Sequence, residues 1–445
     1  MLRLSRGILT GIPIIALVGI IACERTDPSG PTHGPSLDLS VDEGATLIVP
    51  TQFPTIQAAL DLASPGDKID VLPGTYVEQL LITKNVTLEG AGAEATFIQA
   101  PATLVPFAGS LPGVVINPLE QEVLDALGVP LTPVPLTAIV HVTLGAVVEM
   151  SGFTVKGPIP GMCDVAHGRP RVSVHVASGI QVTLGGRLDL SDSRVTQVRD
   201  EPLSLCGGGS AIVVGLSNFI VPDGSAGFAT IRHVTVDDFQ SRGILVVGPS
   251  SAKISHNVVT GQGPSLLFQN GIDVRYGAVA RITHNRVSGI IGTTIFHGPD
   301  PINQFQGSGI IITANPPPGV PPFSFAPAGT IIEDNEVFDN DTGIYLIDAG
   351  GCCTTRKNIV TNNRWYGIQI QDGSNDAEDN TISGGQIGIG VIAGGFSNSV
   401  NTVARLSGNR ISGWSIAAVQ EQTCAIFVCD PAFAGFTATA VVGKQ

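Results

Sequence analysis

The sequence predicts an all-β solenoid built from stacked coils, and three observations lead to this fold class. A short phrase recurs between residues 254 and 413, in which an aliphatic residue, two polar or small residues, an asparagine and a second aliphatic residue follow one another. Strand-like segments of the type Gly-Ile-x-aliphatic lie between these phrases, without a helical pattern. Glycine supplies 55 of the 445 residues and charged residues only 13%, as expected for coils with tight turns and an apolar interior.

The recurring asparagines predict a turn at one position of each coil. Their spacing is 22 to 29 residues, apart from one interval of 50 residues that we interpret as a coil with two insertions, Ile290–Gln306 and Asn315–Ala328. At a turn, an asparagine side chain can bond its own backbone, tolerate left-handed φ and continue an amide ladder into the next coil. The asparagines are Asn257, Asn285, Asn335, Asn358, Asn380 and Asn409.

The Gly-Ile segments predict parallel strands, one in each coil. They begin at Gly271, Gly309, Gly343, Gly367 and Gly388. These repeats resemble those of right-handed parallel β-helix proteins of the pectin-lyase-like superfamily. The start of the chain is also similar to that family, in the segments Phe53–Ala63, Pro65–Asp67, Pro73–Glu78 and Val86–Gly90. The resemblance implies a single right-handed parallel β-helix with a short N-terminal helix that caps the first coil.

Residues 1–22 have the pattern of a signal peptide, because Arg3 and Arg6 precede an apolar run from Gly7 to Ala22. The run is shorter than the ~20 residues that a membrane-spanning helix needs. Its end, together with Cys23, resembles the cleavage box of bacterial lipoproteins. We therefore expect a lipid at Cys23 and an exported protein at the outer membrane, in the periplasm or at the cell surface. An ordinary signal peptide followed by an incidental cysteine is the alternative.

Residues 23–50, rich in Pro, Ser, Gly and Asp, predict a flexible tether between the membrane and the solenoid. We expect the β-helix domain over residues 51–445. The β pattern lapses over about residues 100–136, which predicts an excursion from the coils.

An even number of cysteines after Cys23 predicts disulfides in an exported chain. The six are Cys163, Cys206, Cys352, Cys353, Cys424 and Cys429. We expect the first two to pair, because they lie in equivalent loops of successive coils, and the last two to close a small loop. The middle two would form a vicinal pair or remain free thiols.

Polar residues gather on the outward side of the Gly-Ile strands. Side chains alternate inward and outward along a strand, and equivalent positions of successive coils stack ~4.8 Å apart. The resemblance implies that this face is a substrate groove, as in polysaccharide-cleaving relatives. Asp273 and Arg275 are candidate catalytic residues, and Tyr345, Gln369 and Gln371 are candidate substrate-binding residues. Asp273 and Arg275 can equally form an ordinary exposed ion pair.

Two other groups of residues are candidate metal ligands. Asp348 and Asp372 end aligned strands, so that their carboxylates could hold calcium or act in glycoside hydrolysis; both are also normal turn formers. Three histidines stack in successive coils and could bind a transition metal such as copper, which the resemblance connects to some relatives. They are His233, His256 and His284, and a column of exposed turn residues is the simpler interpretation.

Several functions are disfavoured. The catalytic motifs of pectin methylesterases, polygalacturonases and alginate epimerases do not occur, and neither do a P-loop or a His-Glu-x-x-His motif. The net charge of −14 disfavours nucleic acid, and an acidic glycan would need a local basic patch such as Arg275, Arg281 and Arg286. Neutral or lightly charged glycans fit the composition better.

Three hypotheses remain on the sequence alone. The protein contacts a polysaccharide, as a lyase, epimerase or hydrolase; it is a non-catalytic adhesion or glycan-binding module; or it is a metal accessory protein that uses the histidine column. A fold by itself does not decide between them.

Overall fold

In the computed structural model, residues 43–445 form one unit. The structure describes residues 44–106, 136–160, 163–164, 169–173, 176–204, 208–216, 226–267, 269–293, 307–313, 329–347, 351, 353–393, 401–422 and 436–443. The elements and contacts below belong to these residues.

Parallel strands form three sheets, named A, B and C in the order in which each coil enters them. Sheet A contains β1 (Thr46–Val49), β2 (Lys68–Val71), β5 (Val86–Gly90), β8 (Val147–Ser151), β13 (Arg187–Ser191), β16 (Phe228–Arg232), β19 (Ser251–Ser255), β22 (Val279–Thr283), β25 (Thr330–Glu333), β28 (Cys353–Arg356), β31 (Ser374–Glu378), β34 (Thr402–Ser407) and β37 (Ala438–Val442). Sheet B contains β3 (Gly74–Val77), β6 (Thr96–Gln99), β9 (Thr154–Lys156), β14 (Arg194–Thr196), β17 (Thr235–Asp237), β20 (Val258–Ser265), β23 (Arg286–Gly292), β26 (Glu336–Phe338), β29 (Ile359–Thr361), β32 (Thr381–Ser383) and β35 (Arg410–Ser412).

Sheet C completes each coil. It contains β4 (Leu80–Ile82), β7 (Leu136–Val142), β12 (Val176–Val182), β15 (Ser210–Val214), β18 (Arg242–Val247), β21 (Asn270–Arg275), β24 (Ser308–Thr313), β27 (Thr342–Ile347), β30 (Tyr366–Gln371), β33 (Ile387–Ile392) and β36 (Ala417–Gln422). A short antiparallel pair, β10 (Cys163–Asp164) and β11 (Arg169–Ser173), and one helix, α1 (Ile56–Leu62), complete the elements of the described residues.

The coils stack in register, so that a residue pairs with the same position of the next coil. The isoleucine of each Gly-Ile segment points inward and stays aligned through six coils, with every side chain fully buried. The column consists of Ile244, Ile272, Ile310, Ile344, Ile368 and Ile389. Each such burial contributes about 1.5–3 kcal/mol relative to an exposed side chain. The predicted solenoid of parallel coils is confirmed.

The helix α1 covers the first coil, as expected for a cap. Thr55 caps its N-terminus through a hydrogen bond from the Ala58 N–H, and the Glu78 carboxylate accepts the N–H groups of Ile56 and Gln57. A carboxylate at this position also opposes the positive end of the helix dipole. Ile56 and the apolar face behind it are buried against the core.

The predicted asparagine ladder is present, with each side-chain oxygen serving two donors of the preceding coil. The Asn335 oxygen accepts the backbone N–H of Asn285 at 2.9 Å and its side-chain amide at 3.0 Å. The Asn335 amide donates to the Ile282 carbonyl and to the Asn358 oxygen. The same pattern continues to Asn380 and Asn409. Every buried polar atom of this corner therefore finds its partner in a neighbouring coil.

The left-handed backbone at this corner belongs to the residue before the asparagine, and the expectation that the asparagine itself adopts it is wrong. The residues with positive φ are Asp192, His233, His256, His284, Asp334, Lys357 and Asp379, with φ between 47° and 58°. Because the preceding residue makes the turn, the asparagine side chain is free to point into the coil and form the ladder.

Element boundaries differ from the sequence expectation at two points. β1 begins at Thr46 and pairs with β2, so the first strand lies inside the predicted tether of residues 23–50. β23 continues to Gly292, and thus the insertion predicted from Ile290 begins later. β6 ends at Gln99 and β7 begins at Leu136. Residues 107–135 of the predicted excursion and the second predicted insertion lie outside the described residues, and both stay predictions.

Replacement of Asn335 by alanine tests the ladder. The variant removes the acceptor of the Asn285 backbone N–H and the side-chain donor to the Ile282 carbonyl. We expect the free energy of unfolding to fall by about 3 kcal/mol, measured by urea denaturation. Asn409→Ala is the matched control, because this residue ends the ladder and is partly exposed, and it should cost clearly less. Equal losses at both positions would contradict this account.

Candidate functional site

Sheet C aligns the five predicted groove residues on one face. Asp273 pairs with Ile311, Ile311 with Tyr345, and Tyr345 with Gln369. Arg275 and Gln371 occupy the neighbouring outward column, two residues further along the same strands. The columns predicted from the strand spacing are therefore correct.

This outward face of sheet C is buried, unlike that of sheet A. Strand β19 of sheet A alternates between exposed and buried residues, whereas β27, β30 and β33 of sheet C are buried at every position. Asp273 is 0% exposed, Gln369 and Gln371 are 1% exposed, and Tyr345 is 8% exposed. These side chains thus do not form the open floor of a groove.

Apolar residues form a second, outer layer on the same face. They fall into three clusters separate from the solenoid core: Val213, Leu245, Val247 and Tyr276; Ile311, Tyr345 and Ile347; and Tyr366, Ile387 and Ile392. Their burial explains why the strands of sheet C read as continuous apolar runs.

Asp273 is the centre of a buried charged cluster. One carboxylate oxygen accepts Arg275 Nε at 2.5 Å, and the other accepts Arg242 Nε at 3.2 Å and the Asn270 side-chain amide at 3.0 Å. The side chains of the two arginines are partly accessible, at 20% for Arg275 and 26% for Arg242. The predicted ion pair is therefore present, but the interpretation of it as exposed is wrong, since its carboxylate is buried.

Among the described residues, two guanidinium groups share the carboxylate of Asp273. Burial opposes the charge of Arg275, but Asp273 and then Tyr276 outweigh this effect and raise the pKa of the guanidinium. Burial also raises the pKa of the Tyr276 hydroxyl, although Arg275 works against it. At neutral pH, Arg275 is charged and Tyr276 is a neutral phenol.

Tyr345, Gln369 and Gln371 form a second cluster through hydrogen bonds to one another. The Tyr345 hydroxyl donates to the Gln371 oxygen at 2.7 Å, and the Gln369 amide donates to the same atom at 3.0 Å. The Gln371 amide in turn donates to Asp372 at 3.3 Å. The coil that carries Ile311 separates this cluster from Asp273, a gap of about 10 Å along the solenoid. The five predicted groove residues thus form two separate clusters, one around Asp273 and Arg275 and one of Tyr345, Gln369 and Gln371.

Sequence reasoning missed Arg242 and Asn270. Both precede the glycine of a Gly-Ile segment, and they pair with each other in the register of sheet C. Alignment of the position before each glycine was the signal that could have placed them beside Asp273.

Asp341 is a further buried carboxylate that the sequence did not reveal. It accepts the N–H groups of Gly292 at 2.9 Å and Gly307 at 3.2 Å, which are the two ends of the first insertion. Arg364 donates to Asp341 at 3.2 Å and also to the Gly292 carbonyl at 2.8 Å. Burial raises the pKa of Asp341, against the opposing effect of these donors. The carboxylate therefore fastens both ends of the insertion to the coil.

Asp341→Ala is expected to free these ends. Because two backbone N–H groups and one guanidinium lose their acceptor, proteolytic cleavage between Gly292 and Gly307 should become at least several-fold faster at 25 °C. Limited proteolysis with mapping of the cut sites measures it. Asp376→Ala, which removes a carboxylate from an exposed ion pair with Arg405, is the control and should leave the rate unchanged. An unchanged rate in Asp341→Ala would refute the role.

The structure does not bring a metal-binding set together among the residues it describes. Asp372 is 1% exposed and has φ of 51°, which fits its alternative interpretation as a turn former. Its predicted calcium partner, Asp348, lies outside the described residues.

The three histidines form the predicted column on the surface. The rings of His256 and His284 stack in parallel at 4.9 Å, and those of His233 and His256 are tilted at 5.4 Å. Asp192 and Asp334 flank the column, each 3.9 Å from an imidazole nitrogen. Stacked rings place their nitrogen atoms side by side instead of around one point, and so the column does not form a metal site.

The cysteine and lipid predictions fall largely outside the described part of the chain. Cys23, Cys206, Cys424 and Cys429 lie outside it, and the side chain of Cys163 does too. Cys353 is disulfide-bonded, so it is not a free thiol. Within the described ranges, no helix is long and apolar enough to cross a membrane.

His141 extends the buried polar positions of sheet C towards the N-terminus. It is 2% exposed, and its Nε2 lies 2.8 Å from the Thr183 hydroxyl. Burial lowers the pKa of His141 from 6.5 to about 4. The folded protein therefore resists protonation at this position, whereas the unfolded chain accepts the proton near pH 6.5.

This pKa difference predicts an acid-dependent loss of stability. The contribution is complete above about pH 6.5 and is lost as the pH falls towards 4, with a total of about 3 kcal/mol. His141→Gln should flatten this part of the profile in urea denaturation at pH 7, 6, 5 and 4. His256→Gln, at an exposed position, should keep the wild-type slope. An identical slope in His141→Gln and wild type would contradict the assignment.

Comparisons with known proteins agree with the solenoid. Residues 218–404 match the family model described as right handed beta helix region. A variant of the periplasmic alginate epimerase AlgG is 12% identical, with 90% of this chain and 84% of that chain covered and a TM-score of 0.42. The A-module of mannuronan C-5 epimerase AlgE6 from Azotobacter vinelandii is 14% identical, with 88% and 94% covered and a TM-score of 0.41.

The catalytic domain of a GH87 alpha-1,3-glucanase is also similar, at 11% identity, with 93% of this chain and 70% of that chain covered and a TM-score of 0.41. No curated protein sequence matches the chain. Likeness at this level of identity concerns the fold, and what the chain does has to be argued from its own side chains.

Proposed function

This chain is a right-handed parallel β-helix protein, and we propose that it binds a polysaccharide through Arg242 and Arg275 on the outward face of sheet C. The observation that carries the proposal is the shared carboxylate of Asp273, which holds two guanidinium groups side by side. On a face where the neighbouring outward side chains are buried, the side chains of Arg242 and Arg275 keep part of their surface accessible.

The arginines, rather than Asp273, are the groups suited to contact a ligand. Asp273 is fully buried, and both of its oxygens already accept hydrogen bonds. Each arginine donates to it through Nε, the nitrogen on the side-chain stem. The terminal amino groups of a guanidinium can donate to hydroxyl or carboxylate oxygens of a sugar. Here a ligand would share them with internal partners, because Arg242 also donates to the Ser241 hydroxyl at 3.1 Å and Arg275 also bonds Tyr276. Asp273 is thus a positioning residue.

The same geometry favours the non-catalytic module over the lyase, epimerase or hydrolase. A general base must reach the proton it removes, and its acceptor atoms must be available. Asp273 meets neither condition, since three donors surround its two oxygens and its side chain is 0% exposed. Arg275 is a poor general base as well, because its pKa is raised.

A guanidinium can bond carboxylate and hydroxyl oxygens alike, so the proposed ligand is an acidic or a neutral polysaccharide. The net charge of −14 favours a neutral or lightly charged one away from such local positive groups. The three arginines that the sequence suggested as a basic patch lie on three different sheets. Arg275 is on sheet C, Arg281 on sheet A and Arg286 on sheet B.

We also propose that the protein is exported and carries a lipid at Cys23, which would hold the solenoid near a membrane. The support is the leader pattern of residues 1–22. Mass spectrometry of the N-terminal peptide from the native membrane fraction checks it, since an unmodified Cys23 would remove the anchor.

Arg275→Gln and Arg242→Gln test the binding site. Each variant removes one charged donor, and we expect about tenfold weaker binding to the polysaccharide that the wild type retains best from a set of polygalacturonate, alginate, xylan and dextran. Affinity electrophoresis gives the dissociation constants. Arg405→Gln, at an exposed ion pair of sheet A, is the matched control and should bind as the wild type does.

Two results would overturn the proposal: no retention of any of the four polysaccharides, or unchanged affinity in both variants. Thermal unfolding of each variant shows whether the fold is kept. New reducing ends in the same mixtures would indicate a hydrolase, and unsaturated uronate products would indicate a lyase. Either result would contradict a non-catalytic module, whatever the affinities are.

A further inference from the structure

Large apolar side chains are exposed around the N-terminal end of the solenoid, beside the helix α1. Leu62, in the last turn of α1, is 71% exposed, and Val77, on the outermost strand of sheet B, is 60% exposed. Leu144, in the turn between β7 and β8, is 64% exposed. We call this surface the apolar end, and its residues are Leu62, Leu72, Val77, Leu144 and Val147.

Hydrogen bonds join the last turn of α1 to the neighbouring coils. Lys84 Nζ donates to the Ala63 carbonyl, at the end of the helix, at 2.9 Å. The next residue along the chain, Asn85, accepts the Val147 N–H through its side-chain oxygen at 2.9 Å. Leu144 lies three residues before Val147, in the turn that leads from sheet C to sheet A. The end of α1 and this turn are therefore neighbours on the surface.

The start of α1 is joined to Val77 in a similar way. Glu78, the residue after Val77, accepts the Ile56 N–H at 3.0 Å. Leu72 lies just before the same strand, and its carbonyl accepts the Tyr76 hydroxyl at 2.9 Å. Exposed apolar side chains thus border the helix at both of its ends.

Exposed apolar residues on the flank of sheet B are single by comparison. Val258 and Ile359 face outward in one column of this sheet, and Arg286 and Glu336 lie between them. Single exposed aliphatic residues are normal on protein surfaces, whereas groups of neighbouring ones mark contact sites. The apolar end therefore calls for a partner in a way that Val258 and Ile359 do not.

Two carboxylates beside α1 have partners inside the protein. Asp67 accepts the N–H groups of Ala45 and Ser64 at 2.8 and 2.7 Å. Asp61 accepts the Gln57 side-chain amide at 2.7 Å. Polar groups with such partners cost less to remove from water than unpaired ones. The whole chain carries a net charge of −14, which opposes contact with an anionic surface, and so a surface without net charge matches the apolar end better.

The proposed lipid at Cys23 would be joined to the fold at this same end. β1 begins at Thr46 and is the outermost strand of sheet A. Residues 24–43, most of the predicted tether, lie outside the described residues. A flexible chain of this length has an average end-to-end distance of about 25 Å. A lipid at Cys23 would therefore keep the apolar end close to the membrane, where a high local concentration favours even a weak contact.

We propose that the apolar end contacts a zwitterionic phospholipid surface, with Leu62, Val77 and Leu144 inserted at the level of the headgroups. The inference rests on the proposed lipid at Cys23 and adds which part of the fold meets the membrane. Aliphatic side chains are stabilised when they leave water for the boundary between headgroups and acyl chains. Because only the first coils take part, the strands β18 and β21 of the proposed ligand site, several coils further along sheet C, stay accessible.

Tryptophan reporters in the lipid-anchored full chain test the contact. The vesicles consist of phosphatidylethanolamine and phosphatidylcholine with brominated acyl chains, which quench tryptophan that touches them. We expect the fluorescence added by Leu62→Trp or Leu144→Trp to fall about twofold relative to vesicles without bromine. Ile359→Trp is the matched control, because its position is similarly exposed in a distant coil, and its added fluorescence should stay the same. The wild type supplies the contribution of Trp365 and Trp414.

Flotation of the vesicles separates the anchor from the contact. Protein that does not float with them would overturn both, whereas protein that floats without quenching at either reporter would overturn the contact and leave the anchor. Equal quenching of Ile359→Trp would also overturn the contact, because the flank of the solenoid would then lie on the membrane. A blue-shifted but unquenched emission would overturn it in favour of a protein partner. Circular dichroism shows that each reporter keeps its strands, and Val77→Trp replaces a reporter that does not.

Discussion

The stacking of each residue on its equivalent in the next coil is the constraint on which the rest of this structure depends. Backbone hydrogen bonds run from coil to coil in all three sheets, so a side chain meets the same position above and below it. A buried polar group must therefore find a complementary partner in its own column. Asparagine satisfies this condition because it carries a donor and an acceptor, and a column of asparagines bonds itself. The ladder begins where Asn257 accepts the Val234 N–H.

The same constraint governs charge. A carboxylate or guanidinium cannot bond its own copy, and charged side chains therefore find opposite charges in a neighbouring coil, as in the bidentate contact of Arg194 with Asp237. Glu333 shows the alternation in both directions, with Arg281 before it and Arg356 after it, and the hydrogen bond from Arg356 lowers the pKa of the carboxyl. Like charges are also direct neighbours on sheet A, as in Lys253 with Arg281, Asp70 with Glu89 and Glu149 with Asp189. Ion pairs between coils thus compensate charge at particular positions and not along every column.

Much of the fold could be predicted from the sequence, because a solenoid repeats its local rules. The period of the asparagines and the Gly-Ile segments led to the correct strand register, including the column of Asp273, Ile311, Tyr345 and Gln369. The left-handed residue at the corner was assigned to Asn257 instead of His256, because both residue types tolerate positive φ and only the direction of the side chain separates them. The contact of Asp341 with Gly292 and Gly307 could not be predicted from the sequence, because it joins segments that do not occupy equivalent positions in the repeat.

The candidate site was predicted less well, and the reason is physical. Alternation along a strand tells which side chains point outward, but it does not tell whether the outward face meets solvent, because outward side chains can themselves be buried in apolar clusters. Tyr345, Gln369 and Gln371 were selected as ligand contacts for their chemistry, yet they satisfy one another in the interior. Such closed networks stabilise a fold and leave no donor for a substrate. Arg242 and Arg275 differ, since Asp273 orients them while part of each side chain stays accessible. In a solenoid, where the core is the same in every coil, recognition falls to positions where a column departs from its own repeat.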